Sequence, residues 1–493
     1  MDSIIANPGL QHLLEEILTY LDKVSLANCR TLSKSFKTII DNSKPLIIIQ
    51  WRQMSKKDKI GKCPINAILS GNWQETFHGF EKLDSIEEMK ELLEFLRQFY
   101  NYIQTCQFHL DCLKNPIHYA MRLNDVRILK LLTKCRYQYD FGILQYACSK
   151  GFADSVAYLL SLPDVNVNRP YGKEDPTPFY LACKYGHLKV VKVFLNDAKK
   201  KNIDLDERFD YKTPLHVACE NGHLDVVSLL IDQSQGHSIC IRATDDIGRN
   251  LLHFASSSNN CYLIKMLLKK NFDINVRTNF GTTPFHYACS YGNLDIIKVF
   301  LDNAQKFNIN LNAQNIEGRT PIFFACQDKK ADATIYLIEN YQKYGIDLTT
   351  EDVNGRNLLH MACLKGLFEV TKLLLSKLNE LGLDKSAETK NNFTALHFAT
   401  YSGNVEIAKL LIKYGLNVNA KDLHGQTPLH IACSRFGSFD IIKMFLDKAI
   451  QNQITIDFNA TDVYERTPLN VAEEKGFERI AILIRNVMKK HLS

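Results

Sequence analysis

Fifteen histidines and fourteen cysteines stand in this chain of 493 residues. Either type could hold a metal, move a proton or attack a carbonyl if a few were brought together. Their spacing points elsewhere. Seven histidines (His118, His216, His253, His286, His360, His397 and His430) take the fourth position of a recurring hexapeptide. Seven cysteines (Cys148, Cys183, Cys219, Cys289, Cys326, Cys363 and Cys433) directly follow its sixth position, which is always alanine. An acid–base site needs one histidine set apart by its partner, so seven equivalent ones read as a scaffold device. Cysteines beside a small alanine read as small apolar core side chains. The other cysteines, Cys106 and Cys112 among them, show no CxxC pairing with histidines at zinc-finger spacing. P-loop, HExxH, GxSxG and kinase signatures are absent from the sequence. No catalysis, cofactor or metal is expected.

The hexapeptide occurs eleven times: NPIHYA from Asn115, GILQYA from Gly142, TPFYLA from Thr177, TPLHVA from Thr213, NLLHFA from Asn250, TPFHYA from Thr283, TPIFFA from Thr320, NLLHMA from Asn357, TALHFA from Thr394, TPLHIA from Thr427 and TPLNVA from Thr467. Successive starts lie 27 to 40 residues apart. Each has the makings of a helix start. Thr213 can cap free amides of the first turn, and Pro214 stands where a missing N–H costs nothing. Leu215, Ala218 and Cys219 then share one face, the alanine permitting close approach of a neighbouring repeat. Nine residues after most starts comes a glycine (Gly151, Gly186, Gly222, Gly292, Gly366, Gly403 or Gly476), where a helix can end on a left-handed residue. Asn124 and Asn259 replace it in two repeats and tolerate the same conformation. Lys329 and Lys330 take the place of glycine in another, which reads as a local irregularity or as a contact site. After Gly222, Leu224, Val227 and Leu230 have helical spacing, so a second, antiparallel helix is expected.

The period and the Thr-Pro-Leu-His-x-Ala core resemble the ankyrin repeat, whose unit is about 33 residues. The resemblance implies helix pairs with projecting β-hairpin loops, and histidines that bond hairpin to helix. Segments such as DDIGRN from Asp245 carry the turn chemistry of those hairpins. Repeats of 36–37 residues add about one helical turn or a longer loop after the second helix. The last unit replaces histidine by Asn470 and sets Glu473, Glu474, Arg479, Arg485, Lys489 and Lys490 around its helices, as a polar terminal cap would. Hairpin tips are expected to carry Phe209, Tyr211, Arg249, Phe280, Arg319, Arg356, Phe393, His424, Tyr464 and Arg466. First-helix ends are expected to carry Tyr185, Tyr291, Tyr401 and Arg435. Exposed aromatic and arginine side chains suit protein recognition. The bland reading is that each packs on its own hairpin.

Ahead of the repeats, Leu10, Leu13 or Leu14, Ile17, Leu18 and Leu21 give one amphipathic helix. Ser25 caps a second with Leu26, Cys29 and Leu32 on one face, and Phe36, Ile39 and Ile40 continue the pattern. Forty residues bury little surface alone, so a partner is implied. On Ile17-Leu18, Tyr20-Leu21-Asp22, Ser25-Leu26 and Leu32-Ser33-Lys34-Ser35-Phe36 this segment resembles the F-box. Pro8-Gly9-Leu10 stands where the family opens on Leu-Pro, and Phe36 where tryptophan is common. The resemblance implies docking on the Skp adaptor of a cullin–RING ubiquitin ligase through Leu14, Ile17, Leu18, Leu21, Leu26, Leu32 and Phe36. The alternative is a helical cap with no partner. Between the two parts, SIEEMKELLEFLRQFYNYI from Ser85 predicts a long helix with a serine cap and Glu88 three residues on. CPINAILSGN from Cys63 faintly echoes the hexapeptide.

The expected fold is therefore all-α: an F-box-like domain of three helices over 5–46, a helical connector or degenerate repeat over 47–113, and an ankyrin-repeat solenoid of about eleven repeats over 114–493. At roughly 100–200 residues per domain, repeats account for the length better than separate globular domains. Residues are 45% hydrophobic and 23% charged, which excludes a disordered or collagen-like chain, and the net charge is only +6. Neither a nucleic-acid nor a membrane partner is expected. No apolar run approaches the ~20 residues of a bilayer span. MDSIIANPGLQHLLEEIL has no basic n-region and reaches Glu15 and Glu16 early, so no signal peptide is expected. The location follows as the cytoplasm, with the nucleus also open. Two functions fit: a substrate receptor that joins a target on the concave ankyrin face to an adaptor on the box, or an ankyrin scaffold with no link to ubiquitin.

Overall fold

The repeating hexapeptide folds as a repeating helix start. The computed structural model of the chain describes residues 116–134, 142–163, 165–168, 175–435 and 438–492, with Glu88, Glu91 and Phe95 of a helix further upstream. The F-box-like segment, its seven adaptor-facing candidates and most of 47–113 lie outside the described residues. Among the described residues there are eleven helix pairs and no sheet, only an isolated bridge between Phe209 and Lys212. They fall in two compact units. One ends at Pro214 and also takes in Leu229–Ile239; the other comprises Leu215–Ser228 and Cys240 onward.

In the second unit the first helices form one row: Leu251–Ser257, Pro284–Tyr291, Pro321–Gln327, Leu358–Lys365, Ala395–Tyr401, Pro428–Cys433 and Pro468–Glu474, each packed on the next. The second helices, Cys261–Lys269, Leu294–Asp302, Ala331–Glu339, Phe368–Ser376, Val405–Lys413, Phe439–Ile450 and Glu478–Leu492, form another. The first unit repeats the plan with first helices Pro116–Leu123, Gly142–Lys150 and Pro178–Lys184, and with the helix of Glu88 and Phe95 beside them. That upstream helix meets the first pair through Glu88–Lys134 at 3.2 Å and through the Phe95 and Tyr119 rings at 5.5 Å.

Alanine at the sixth hexapeptide position is fully buried in all eleven repeats, from Ala120 to Ala472. A larger side chain there would push apart helices that pack at this distance. In the second helix after Gly222 the buried residues are Val226, Val227, Leu230 and Ile231, with Leu224 only half-buried in the first turn. The long repeats use their extra residues as expected. Leu188–Lys201 and Phe439–Ile450 are lengthened second helices, and Ser234–His237, Tyr341–Tyr344 and Leu378–Leu381 are short added turns.

Helix ends correct two expectations. The seven glycines and Asn124 adopt left-handed backbone, but Asn259 does not; its helix ends earlier, on Ser258 in extended conformation. At the lysine pair the turn is regular. Lys329 takes φ 59°, and its amide and that of Lys330 bond Cys326 O and Ala325 O, as Gly186 and His187 bond Cys183 O and Ala182 O.

Candidate protein-recognition surface

Among the described residues, the histidines and cysteines of the hexapeptide repeats settle into structure. In His286 the backbone amide and hydroxyl of Thr283 approach Nδ1 at 3.0 and 2.9 Å, so the proton lies on Nε2, which donates to Arg319 O at 3.1 Å. His397 and His430 repeat the arrangement with Thr394 and Thr427. Each ring thus ties its own helix cap to the following hairpin. Burial lowers the pKa of His253, His286 and His360 to about 4, against the upward pull of the carbonyl each bonds. They are neutral near pH 7. Asn470 ends the series: its Oδ1 takes the Thr467 amide and hydroxyl at 3.0 and 2.8 Å, the same cap without the onward bond. Burial raises the thiols of Cys363 and Cys433 to about 12, and those of Cys148, Cys183, Cys219, Cys289 and Cys326 further. None offers a thiolate nucleophile at neutral pH.

What the scaffold holds outward is a row of hairpin tips. In the second unit consecutive hairpins join by one backbone bond each: Asn279 N to Ile247 O, Ile316 N to Phe280 O, Val353 N to Glu317 O, Lys390 N to Asn354 O, Leu423 N to Asn391 O and Val463 N to His424 O, all 2.9–3.0 Å. The ladder fixes tip spacing. On it, Phe280, Ile316, Val353, Leu423, Val463 and Tyr464 are exposed, Tyr464 by 71%. Large apolar groups held in water along one edge are the signature of a contact surface.

Two family models match the chain. The family model for ankyrin repeats in three copies matches seven overlapping stretches between residues 144 and 456. The F-box domain model matches residues 11–48. The chain is an ankyrin-repeat protein with an F-box ahead of the repeats. It is 44% identical over 117 residues to human ankyrin repeat and SOCS box protein 3, covering 24% of this chain and 21% of that one. It is 28% identical over 205 residues to palmitoyltransferase AKR1 of Lachancea kluyveri, covering 41% and 27%. The chain thus spans under a third of the length of either relative. The crystal structure of the ankyrin repeat domain of Bcl-3 aligns at 24% identity and TM-score 0.38, covering 48% of this chain and 99% of that one.

Of the ankyrin residues expected at the surface, Tyr185, Tyr211, Phe280, Tyr291, Tyr401 and Tyr464 are exposed. Arg435 is half-buried and lies over the Tyr401 ring at 3.9 Å, one composite surface from two repeats. The hairpin arginines turn inward instead. Arg249 and Arg356 bond Asp245 and Asp352 through Nε at 2.6 and 2.7 Å. Arg319 pairs with Glu317 at 2.6 Å and leaves 14% of its side chain exposed. Arg466 splits between Asp462 and Glu474. These arginines brace hairpins. Phe209 is half-buried, edge-on to Tyr180 at 5.4 Å, and Phe393 is half-buried against His397 and Phe398. Between Phe209 and Lys212, Asp210 and Tyr211 both take positive φ, 51° and 62°, as a type I′ turn requires. Tyrosine there is strained, and its ring is 62% exposed. Ile316, Val353, Leu423 and Val463 are exposed too, but carry neither an aromatic ring nor a guanidinium to mark them as contact residues. Their signal is an aliphatic residue inside the turn motifs NIEG, DVNG, DLHG and DVYE.

Proposed function

We propose that this protein is a substrate receptor of a cullin–RING ubiquitin ligase. The observation that carries the reading is the union in one chain of an F-box over residues 11–48 and an ankyrin stack with an exposed row of apolar hairpin tips. The F-box docks on a Skp-type adaptor through Leu14, Ile17, Leu18, Leu21, Leu26, Leu32 and Phe36. The tips and helix ends hold the target protein. No residue of the receptor does chemistry; holding a target lysine near activated ubiquitin raises its effective concentration. This work belongs to the cytoplasm or nucleus.

Co-purification of the full-length protein with a Skp-type adaptor tests the reading. The wild type is expected to retain adaptor, and a Leu21→Asp, Leu26→Asp variant with unchanged circular dichroism to lose it. A wild type that brings down no adaptor makes the chain an ankyrin scaffold instead.

A further inference from the structure

Four hairpins of the second unit begin on a buried aspartate: Asp245, Asp352, Asp422 and Asp462, each between 4% and 6% exposed. In all four, Oδ1 accepts the backbone amides of the residues two and four further on. In three, Oδ2 accepts Nε of an arginine four residues on, at 2.6 Å from Arg249, 2.7 Å from Arg356 and 3.0 Å from Arg466. The fourth differs. Residue 426 is glutamine, and Oδ2 of Asp422 is buried without a hydrogen-bond partner among the described residues.

Among the described residues no neighbouring cation replaces the arginine. Arg319 of the preceding hairpin lies 3.5 Å from Asp352, but the equivalent position before Asp422 is Phe393. Lys421 is turned to Thr461 O at 3.1 Å. A buried carboxylate oxygen without a partner is costly. The same fold, three times over in this chain, shows which group completes it.

We propose that the Asp422 slot receives the guanidinium of an arginine from the bound target protein, which enters as the half-buried Gln426 side chain swings aside. A planar guanidinium matches the slot as an ammonium does not, because it presents a fork of N–H donors to a carboxylate. Leu423, exposed beside the slot, and Tyr464, exposed on the next tip, receive the apolar neighbours of that arginine. The two tips are held together by the Val463 N to His424 O bond of 2.9 Å. This inference rests on the hairpin tips being the target-binding surface, and it makes Asp422 and Gln426 determinants of target choice.

Two measurements on the full-length protein test it. Gln426→Arg supplies the guanidinium from within, as in the sister hairpins, and is expected to raise the melting temperature by about 2 °C or more. N-acetyl-arginine amide, titrated while the Leu423 methyl resonances are followed, is expected to give a saturable shift in the wild type. That shift is expected to vanish in Gln426→Arg and in Asp422→Asn. The latter keeps the turn, since Asn315 closes its own hairpin in the same way through the amides of Glu317 and Arg319. N-acetyl-citrulline amide, similar in shape but uncharged, is expected to bind at least tenfold more weakly. A lowered melting temperature in Gln426→Arg, equal shifts from both probes, or no shift in the wild type overturns the proposal. The probes need neither adaptor nor target, so this failure is distinct from failure of the receptor reading.

Discussion

His286 shows how one residue type carries the whole architecture. Its ring takes two bonds from Thr283 on one nitrogen and gives one to Arg319 O from the other, so it must be neutral and buried. A protonated ring would lose the bond from the Thr283 amide. The folded pKa of His253, His286 and His360 is about 4, against about 6.5 for a free histidine. Below pH 6.5 the unfolded chain therefore takes up protons that the native fold refuses. Stability is full above that pH and is lost as pH falls from 6.5 towards 4, by at most ~3 kcal/mol for each histidine. Urea midpoints should drop clearly between pH 7.5 and pH 5; equal midpoints contradict this account of the ladder. Tyr211 shows the opposite arrangement, strain kept at an exposed position. Tyr211→Gly should stabilise the first unit by about 0.5–1 kcal/mol in chemical denaturation and should weaken target capture. A destabilised variant would mean that the turn is unstrained.

At the scale of elements, the hairpin ladder demands close approach. Lys390 N bonds Asn354 O at 3.0 Å, and a Cβ on Gly355 would lie 3.1 Å from Lys390 N and 3.3 Å from Thr389 Cα. Gly403 has a similar φ, 72° against 74°, and nothing within 4 Å of its would-be Cβ. Gly355→Ala should therefore cost more than Gly403→Ala, about 2 kcal/mol against about 1 in urea unfolding. Equal costs would mean that the hairpins do not press on one another. The helix pairs were legible in the sequence because threonine, proline and alanine each act locally, within one turn of a helix. The fate of Arg249, Arg319 and Arg356 was not, since an arginine at a turn looks the same whether it reaches outward or folds back on an aspartate four residues before it. Asp422 was hidden for the same reason. Glutamine for arginine four residues on is plain in the sequence, but the burial that gives the exchange its meaning comes from the packed hairpins.

At the scale of the whole molecule, the chain joins an F-box to a surface built for a protein partner. Among the described residues no helix is long and apolar enough to cross a membrane. On the proposed reading, target choice lies with exposed side chains such as Leu423 and Tyr464 and adaptor binding with the F-box face, so separate substitutions should uncouple them. The most direct measurement compares ubiquitin-remnant peptides from cells expressing the wild type, Leu21→Asp with Leu26→Asp, or Leu423→Asp with Tyr464→Ala. The account predicts a set of proteins whose ubiquitylation rises with the wild type and with neither variant, while the tip variant still binds adaptor. An unchanged remnant profile across all three would contradict it.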